Sequence, residues 1–228
     1  IKGYKKSLRH EDFIPNVAVV DPSFLVECPK SVIAASGLDA LSQLVESYTS
    51  TKSNVFSDSL ALPAICKLMD ALPKVFDGDT SMENLEALAY GSMVSGITLA
   101  NVGLGLVHGF ATSLGGYYEI PHGVICGTLM GEVNRKMLHK AMQDNNETLV
   151  TKFAKIGNSI QFSNDNIVSA RLFVYILEEI IDRFKLPTLG NFGVEETVFE
   201  KILKVTTHKN NPITFSNEEL SDILRKRM

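Results

Sequence analysis

From Leu88 to Tyr118 the chain carries no Asp, Glu, Lys or Arg. A run of that length has two homes: a bilayer, where a spanning helix takes about 20 mainly apolar residues, or the interior of a protein. Seven glycines (91, 96, 103, 105, 109, 115 and 116), together with Asn101, His108 and several Ser and Thr, decide for the interior. The run reads as two buried helices broken near Gly103-Leu104-Gly105, an inner segment that approaches something closely. No membrane insertion is expected. Helices that apolar must be covered by other elements, so the rest of the chain has to supply them.

It supplies helices almost throughout. The one convincing strand is Val17-Ala18-Val19-Val20, entered from Pro15-Asn16 and closed by Asp21-Pro22. A single apolar strand cannot pair with itself, so its sheet partners are expected elsewhere. After Pro29 the pattern is helical: residues 29–50, 54–76, 81–101, 106–115, 122–141, 147–158, 165–186, 194–206 and 217–227. The seventh is the clearest, with Ile167, Ala170, Val174, Leu177, Ile181 and Phe184 forming one apolar stripe that Pro187 and Gly190 stop. Thr80-Ser81-Met82-Glu83 and Ser216-Asn217-Glu218-Glu219 both have the form of a capping box. The expected fold is all-α: a multi-helix domain over residues 23–228, with residues 1–22 as a strand segment left from a second, α/β domain. The start at Ile1, without initiator Met or apolar leader, reads as that of a fragment or processed chain.

Charge and cysteines narrow the partners. The formal net charge is −4 and the pI about 5.8, with Lys and Arg scattered, so nucleic acid is not an expected partner. The dense basic cluster Arg225-Lys226-Arg227 ends the last helix, where cations suit the dipole. Cys28, Cys66 and Cys126 are three and sparse, which favours a reducing, cytoplasmic setting over a disulfide framework.

Chemistry has few carriers. Asp39 and Gln43 lie four apart on the first helix and so share a face. His108 is expected on a short helix and His122 at the opening of the next, after the Gly115-Gly116 break. If these three helices pack together, one carboxylate and two imidazoles converge, which is the minimum for a catalytic divalent metal with an open position. Taken singly each residue also has a plain structural reading: His108 as a core histidine, His122 as a cap between Pro121 and Gly123, Asp39 as a complement to the early helix dipole. Gly103-Leu104-Gly105-Leu106-Val107-His108 starts like a dinucleotide fingerprint but has His where the third Gly belongs, and no strand before it. Glu119-x-x-His122 is broken by Pro121, which speaks against a di-metal carboxylate bundle. His10, His139 and His208 sit among charged or polar residues and read as surface positions.

Several of these segments together resemble a known family. Ala18-Val19-Val20-Asp21-Pro22, Pro29, Ala34-Ala35-Ser36-Gly37-Leu38-Asp39-Ala40-Leu41 and Glu46 are similar at the right spacing to the iron-type (group III) alcohol dehydrogenases. So are Gly103-Leu104-Gly105-Leu106-Val107-His108-Gly109, Leu114-Gly115-Gly116 and Ile120-Pro121-His122-Gly123, and near the end Asn211-Pro212 with Glu218-Glu219-Leu220. The resemblance implies a C-terminal helical domain that holds Fe²⁺ or Zn²⁺, joined to an N-terminal α/β domain that binds NAD or NADP. It implies four metal-ligand positions: Asp39, the position of Gln43 (a His in the family), His108 and His122. With Gln43 the site either takes an amide oxygen or runs on three ligands, as in the related glycerol dehydrogenases. Many members carry a further His one turn after the first metal His, thought to help move the alcohol proton; Thr112 stands there in this chain.

The activity implied by the resemblance is alcohol–aldehyde interconversion by hydride transfer, on a small alcohol or aldehyde substrate. A bound divalent ion makes the hydroxyl easier to deprotonate, and the turn containing Gly103 and Gly105 would let backbone come close to metal and nicotinamide. A homo-oligomer is expected, because the unpaired strand and the face turned to the other domain expose apolar surface. The chain alone is not expected to oxidise alcohols. The rival readings are another superfamily enzyme, such as a glycerol dehydrogenase or dehydroquinate synthase, and a non-catalytic helical interaction module that binds no tight metal.

Overall fold

The structure, a computed structural model, describes residue 5 and residues 10–228. Among them are nine α-helices: α1 (Lys30–Thr49), α2 (Val55–Asp77), α3 (Met82–Val102), α4 (Leu106–Tyr117), α5 (His122–Gln143), α6 (Glu147–Ile160), α7 (Asn166–Phe184), α8 (Phe199–Leu203) and α9 (Asn217–Arg225). The all-α expectation holds. The strand expected at Val17–Val20 does not form: the segment is exposed, Val17 at 77% and Val19 at 86%, and there is no strand among the described residues. With no second backbone alongside, its N–H and C=O groups have nothing to ladder with.

The architecture is built around α1. Leu38, Leu41 and Leu44 are completely buried and Val45 and Tyr48 nearly so, because α2, α3 and α5 all pack on this helix. Each such Leu contributes about 1.5–3 kcal/mol by leaving water, which makes α1 a stiff post for anything mounted on it. On the far side α6 and α7 pair with each other and lean on α5, and one continuous apolar core joins all of them.

The uncharged run folds as expected into two helices, α3 and α4, at 95° to each other. No single helix is long and apolar enough to cross a membrane. The corner is at Gly103, whose φ of +71° lies in the left-handed region. A Cβ there would stand 2.3 Å from Asn210 Nδ2, so only glycine fits. The corner's polar groups are satisfied by distant residues. Ser50 Oγ donates to the Val102 carbonyl (2.7 Å) and Ser47 Oγ to that of Gly103 (3.3 Å). The Asn210 backbone N–H donates to the Leu104 carbonyl (3.0 Å).

Several local expectations need correction. Thr80 does not cap α3: Ser81 is the capping position and makes no side-chain cap bond. The Asp79 carboxylate instead accepts from the Ser81 N–H and from the Asn84 amide, a charged acceptor outcompeting a hydroxyl for local donors. The Ser216–Glu219 box is present as expected, and a further one, Asn54 with Ser57, opens α2. Ile167 is not on the buried stripe of α7 but 43% exposed, since the helix begins only at Asn166. The helix expected over 194–206 shrinks to a 3-10 turn, Glu196–Val198, and the short α8. Beyond Leu203 the backbone leaves the helical path to seat the Thr207 carbonyl against Gly109, where a Cβ would lie only 2.0 Å away.

Candidate metal centre

Three helices deliver the side chains. Asp39 and Gln43 stand one turn apart on α1, His108 is in the first turn of α4, and His122 is the first residue of α5 with Cys126 one turn later. The meeting of α5 with α1 depends on Gly123: a Cβ there would be 2.3 Å from the Ala35 carbonyl oxygen. Glycine therefore lets the start of α5 rest directly on α1, one turn before Asp39. The start of α4 is held by α1 as well. Glu46, only 5% exposed, accepts the Val107 N–H at 2.6 Å through one oxygen and the His108 Nδ1–H at 2.7 Å through the other. Asn211 Oδ1 takes the Leu106 N–H from the side, satisfying donors that a helix start leaves open.

The result is a four-residue cluster. Asp39 Oδ1 lies 3.2 Å from His108 Nε2 and 3.6 Å from His122 Nε2. Cys126 Sγ lies 3.7 Å from each of the same two nitrogens. One ligand-type atom from each of Asp39, His108, His122 and Cys126 falls within 4.8 Å of all the others. Asp39 Oδ1 is buried without a hydrogen-bond partner, a costly condition for a carboxylate oxygen that a cation at the shared focus would remove. Glu46 on Nδ1 leaves Nε2 as the nitrogen facing that focus, the arrangement by which carboxylates orient metal-binding histidines.

The electrostatics point the same way. Burial works against a charge on His108, yet Asp39, Cys126 and Glu46 around it hold the proton and push its pKa up to about 12. Burial likewise opposes ionisation of Asp39, but His108, His122 and Cys126 outweigh it and keep its carboxyl below the usual range. Burial lowers His122, helped by the Lys5 ammonium, whose Nζ sits 3.2 Å from Nδ1. Burial raises the Cys126 thiol to about 11. A pocket that retains a proton on a buried imidazole attracts positive charge, and a divalent ion would satisfy the same oxygens. The donor set of carboxylate, two imidazoles and a thiol fits a first-row divalent metal.

Of the other residues singled out in the sequence, Gln43 borders this cluster through Asp39. Gln43 does not turn its oxygen inward: its Nε2 donates to Asp39 Oδ2 (3.1 Å) and its Oε1 accepts from Ser95 (2.9 Å). Thr112 is exposed one turn after His108, its hydroxyl donating to the His108 carbonyl at 2.8 Å. Gly103 and Gly105 lie close to Asn210, Asn211 and Glu46. His10 and His139 are exposed, and half-buried His208 accepts the Phe215 N–H. Cys126 was not among the residues the sequence singled out, although its spacing of four from His122 on a helix would have placed both on one face.

The chain has relatives among known proteins. Residues 33–228 match the profile of the C-terminal part of the Fe-containing alcohol dehydrogenase family. The chain is 33% identical over 205 residues to long-chain-alcohol dehydrogenase 1 of Geobacillus thermodenitrificans, covering 88% of this chain and 50% of that protein. It is 27% identical over 230 residues to the NAD-dependent methanol dehydrogenase of Bacillus methanolicus, covering 96% and 57%. Among solved structures, the iron-containing alcohol dehydrogenase of Thermococcus thioreducens superposes with a TM-score of 0.79 at 26% identity, over 96% of this chain and 56% of that one. The chain thus spans about half the length of the curated relatives it matches.

Proposed function

The chain belongs to the Fe-containing alcohol dehydrogenase family, and from that premise we propose that it is the metal-binding part of an enzyme that interconverts alcohols and aldehydes by hydride transfer to or from NAD or NADP. The observation that carries the reading is the convergence of Asp39, His108 and His122 on one focus, with Asp39 Oδ1 buried and unpartnered. These three would hold the metal, Fe²⁺ or Zn²⁺. When bound, a divalent cation supplies Lewis acidity, easing loss of the hydroxyl proton and, in reverse, polarising the carbonyl.

The rest of the work is done by the protein. Asp39 brings the negative charge that offsets the ion, and Gln43 fixes its second oxygen. Glu46 keeps His108 in the tautomer whose Nε2 faces the focus. Ser95 of α3 in turn holds the Gln43 amide in place. Thr112, exposed and one turn beyond His108, is the residue proposed to pass the alcohol proton towards solvent. Its hydroxyl already donates to the His108 carbonyl, so its oxygen is free to accept.

In this reading residues 1–22 belong with the dinucleotide-binding part of a protein about twice as long, residues 23–228 form the metal-binding domain, and Gly103 and Gly105 border the nicotinamide. Neither NAD nor NADP is favoured by any residue of this chain; the similar methanol dehydrogenase is NAD-dependent. The setting is cytoplasmic and the assembly a homo-oligomer. Since holding the nicotinamide against the substrate is worth about 7–11 kcal/mol of barrier, the chain alone does not turn over alcohols. The test is elemental analysis of the purified chain and of His108→Ala. The variant is expected to lose most of the bound metal, and unchanged stoichiometry would overturn the assignment.

A further inference from the structure

Resting on that metal-centre reading, we infer that Cys126 is a fourth ligand, bound as a thiolate, and that it replaces the ligand which the family pattern places at Gln43. The consequence is a site that prefers Zn²⁺ to Fe²⁺.

Gln43 holds the position that would make it the ligand. Both ends of its amide are engaged elsewhere, the nitrogen on Asp39 Oδ2 and the oxygen on Ser95. It is the nitrogen, a donor without a lone pair to give, that faces Asp39. Gln43 therefore positions Asp39 and leaves one coordination place open.

Cys126 fills that place geometrically. A tetrahedral zinc with bonds of about 2.0–2.1 Å to N and O and about 2.3 Å to S has edges of about 3.3 Å between oxygen and nitrogen and about 3.6 Å between nitrogen and sulfur. The protein shows 3.2 and 3.6 Å for Asp39 Oδ1 to the two imidazole nitrogens. It shows 3.7 Å for Cys126 Sγ to each of them. These four of the tetrahedron's six edges lie within about 0.3 Å of the ideal. A buried thiol packed as a small hydrophobe has no reason to stand equidistant from two ring nitrogens, and here it shares them with an orphaned carboxylate oxygen.

The chemistry of the exchange balances simply. The S–H bond of Cys126 breaks, a sulfur–metal bond forms, the proton leaves to solvent, and nothing is oxidised or reduced. Thiolate is a soft donor and raises the preference for zinc over iron, which already lies lower in the affinity order. A zinc held by these four residues could still take substrate by expanding its coordination.

The experiment uses the whole chain stripped of metal and titrated with Co²⁺, monitored by optical spectroscopy. Wild type is expected to show a near-ultraviolet thiolate-to-cobalt charge-transfer band together with visible d–d bands. Cys126→Ser is expected to lose the first and keep the second, because three ligands remain. A variant lacking Cys28 and Cys66 keeps both, which fixes the sulfur as that of Cys126. Zn²⁺ affinity in Cys126→Ser should fall about tenfold or more, with a smaller loss for Fe²⁺. Cobalt bound to the wild-type chain without a charge-transfer band would overturn the thiolate while leaving the metal centre standing. Failure of the wild-type chain to bind cobalt at all would overturn both.

Discussion

Replacing Glu46 by Gln tests whether the cluster is a metal site held from behind. In the native chain both carboxylate oxygens accept, one from Val107 N–H at 2.6 Å and the other from His108 Nδ1–H at 2.7 Å. An amide offers one acceptor and one donor group in the same volume. If its oxygen stays on Val107, its NH₂ faces Nδ1, and the imidazole proton must move to Nε2, where it occupies the lone pair that faces Asp39. If the amide turns over, its NH₂ meets the Val107 N–H and a buried donor goes unpaired, at about 1–3 kcal/mol. By the first route Nε2 loses its free lone pair, and by the second Nδ1–H keeps only a neutral, weaker acceptor, so His108 becomes a poorer ligand either way. The expected loss of metal affinity in Glu46→Gln is about 10–100-fold, or about 1.4–2.7 kcal/mol. It is measured by competition between the chain and a chromophoric chelator for Zn²⁺, with circular dichroism showing that the helices persist. An affinity within about threefold of wild type, some 0.7 kcal/mol, would refute the claim that Glu46 sets the tautomer.

The same geometry fixes two further outcomes. In the metal-free chain at neutral pH, His108 and Cys126 both hold protons, their pKa values being raised to about 12 and about 11, whereas Asp39, lowered, is already ionised and His122, lowered, is neutral. Metal uptake must therefore expel protons and tighten as the pH rises above neutral; calorimetry in buffers of different ionisation enthalpy should count about two protons per metal, and uptake with no proton release would contradict the assignment. Gly123→Ala drives a Cβ towards the Ala35 carbonyl and should destabilise the chain by about 1–3 kcal/mol while weakening metal binding through His122. Urea unfolding and metal titration check this, and an unchanged midpoint would show that α5 has room to spare.

Most of the helical order was legible in the residues, because apolar spacing of three and four survives in every long helix from α1 to α7. The corner at Gly103 was legible too, but the break expected at Gly115-Gly116 does not occur, because α4 runs through both glycines to Tyr117. What failed depended on neighbours distant in sequence. The run 194–206 has helical spacing, but its end is bent by the need to seat Thr207 on Gly109, nearly a hundred residues earlier. Val17–Val20 has strand composition, but a strand is a relation between two segments, and the described residues hold only one. At the site, Asp39, His108 and His122 were reachable through motif resemblance. Cys126 was not, because a cysteine on the apolar face of a helix reads as core until the opposing imidazoles are seen.

The corner between α3 and α4 has a consequence for how the chain comes off the ribosome. Residues 88–118 emerge after α1 and α2, the two helices against which α3 packs, so the first half of the uncharged run meets a waiting surface. The second half does not: α4 packs chiefly against α5, and its start is held by Asn211, synthesised much later. At roughly 5–20 residues per second, the stretch from Tyr118 to the end of α5 adds a delay of about 1–5 s during which α4 stands half covered. The right-angled corner limits the exposure by folding this helix back over α1 through Glu46, so that a sticky nascent segment is shielded by what came before it.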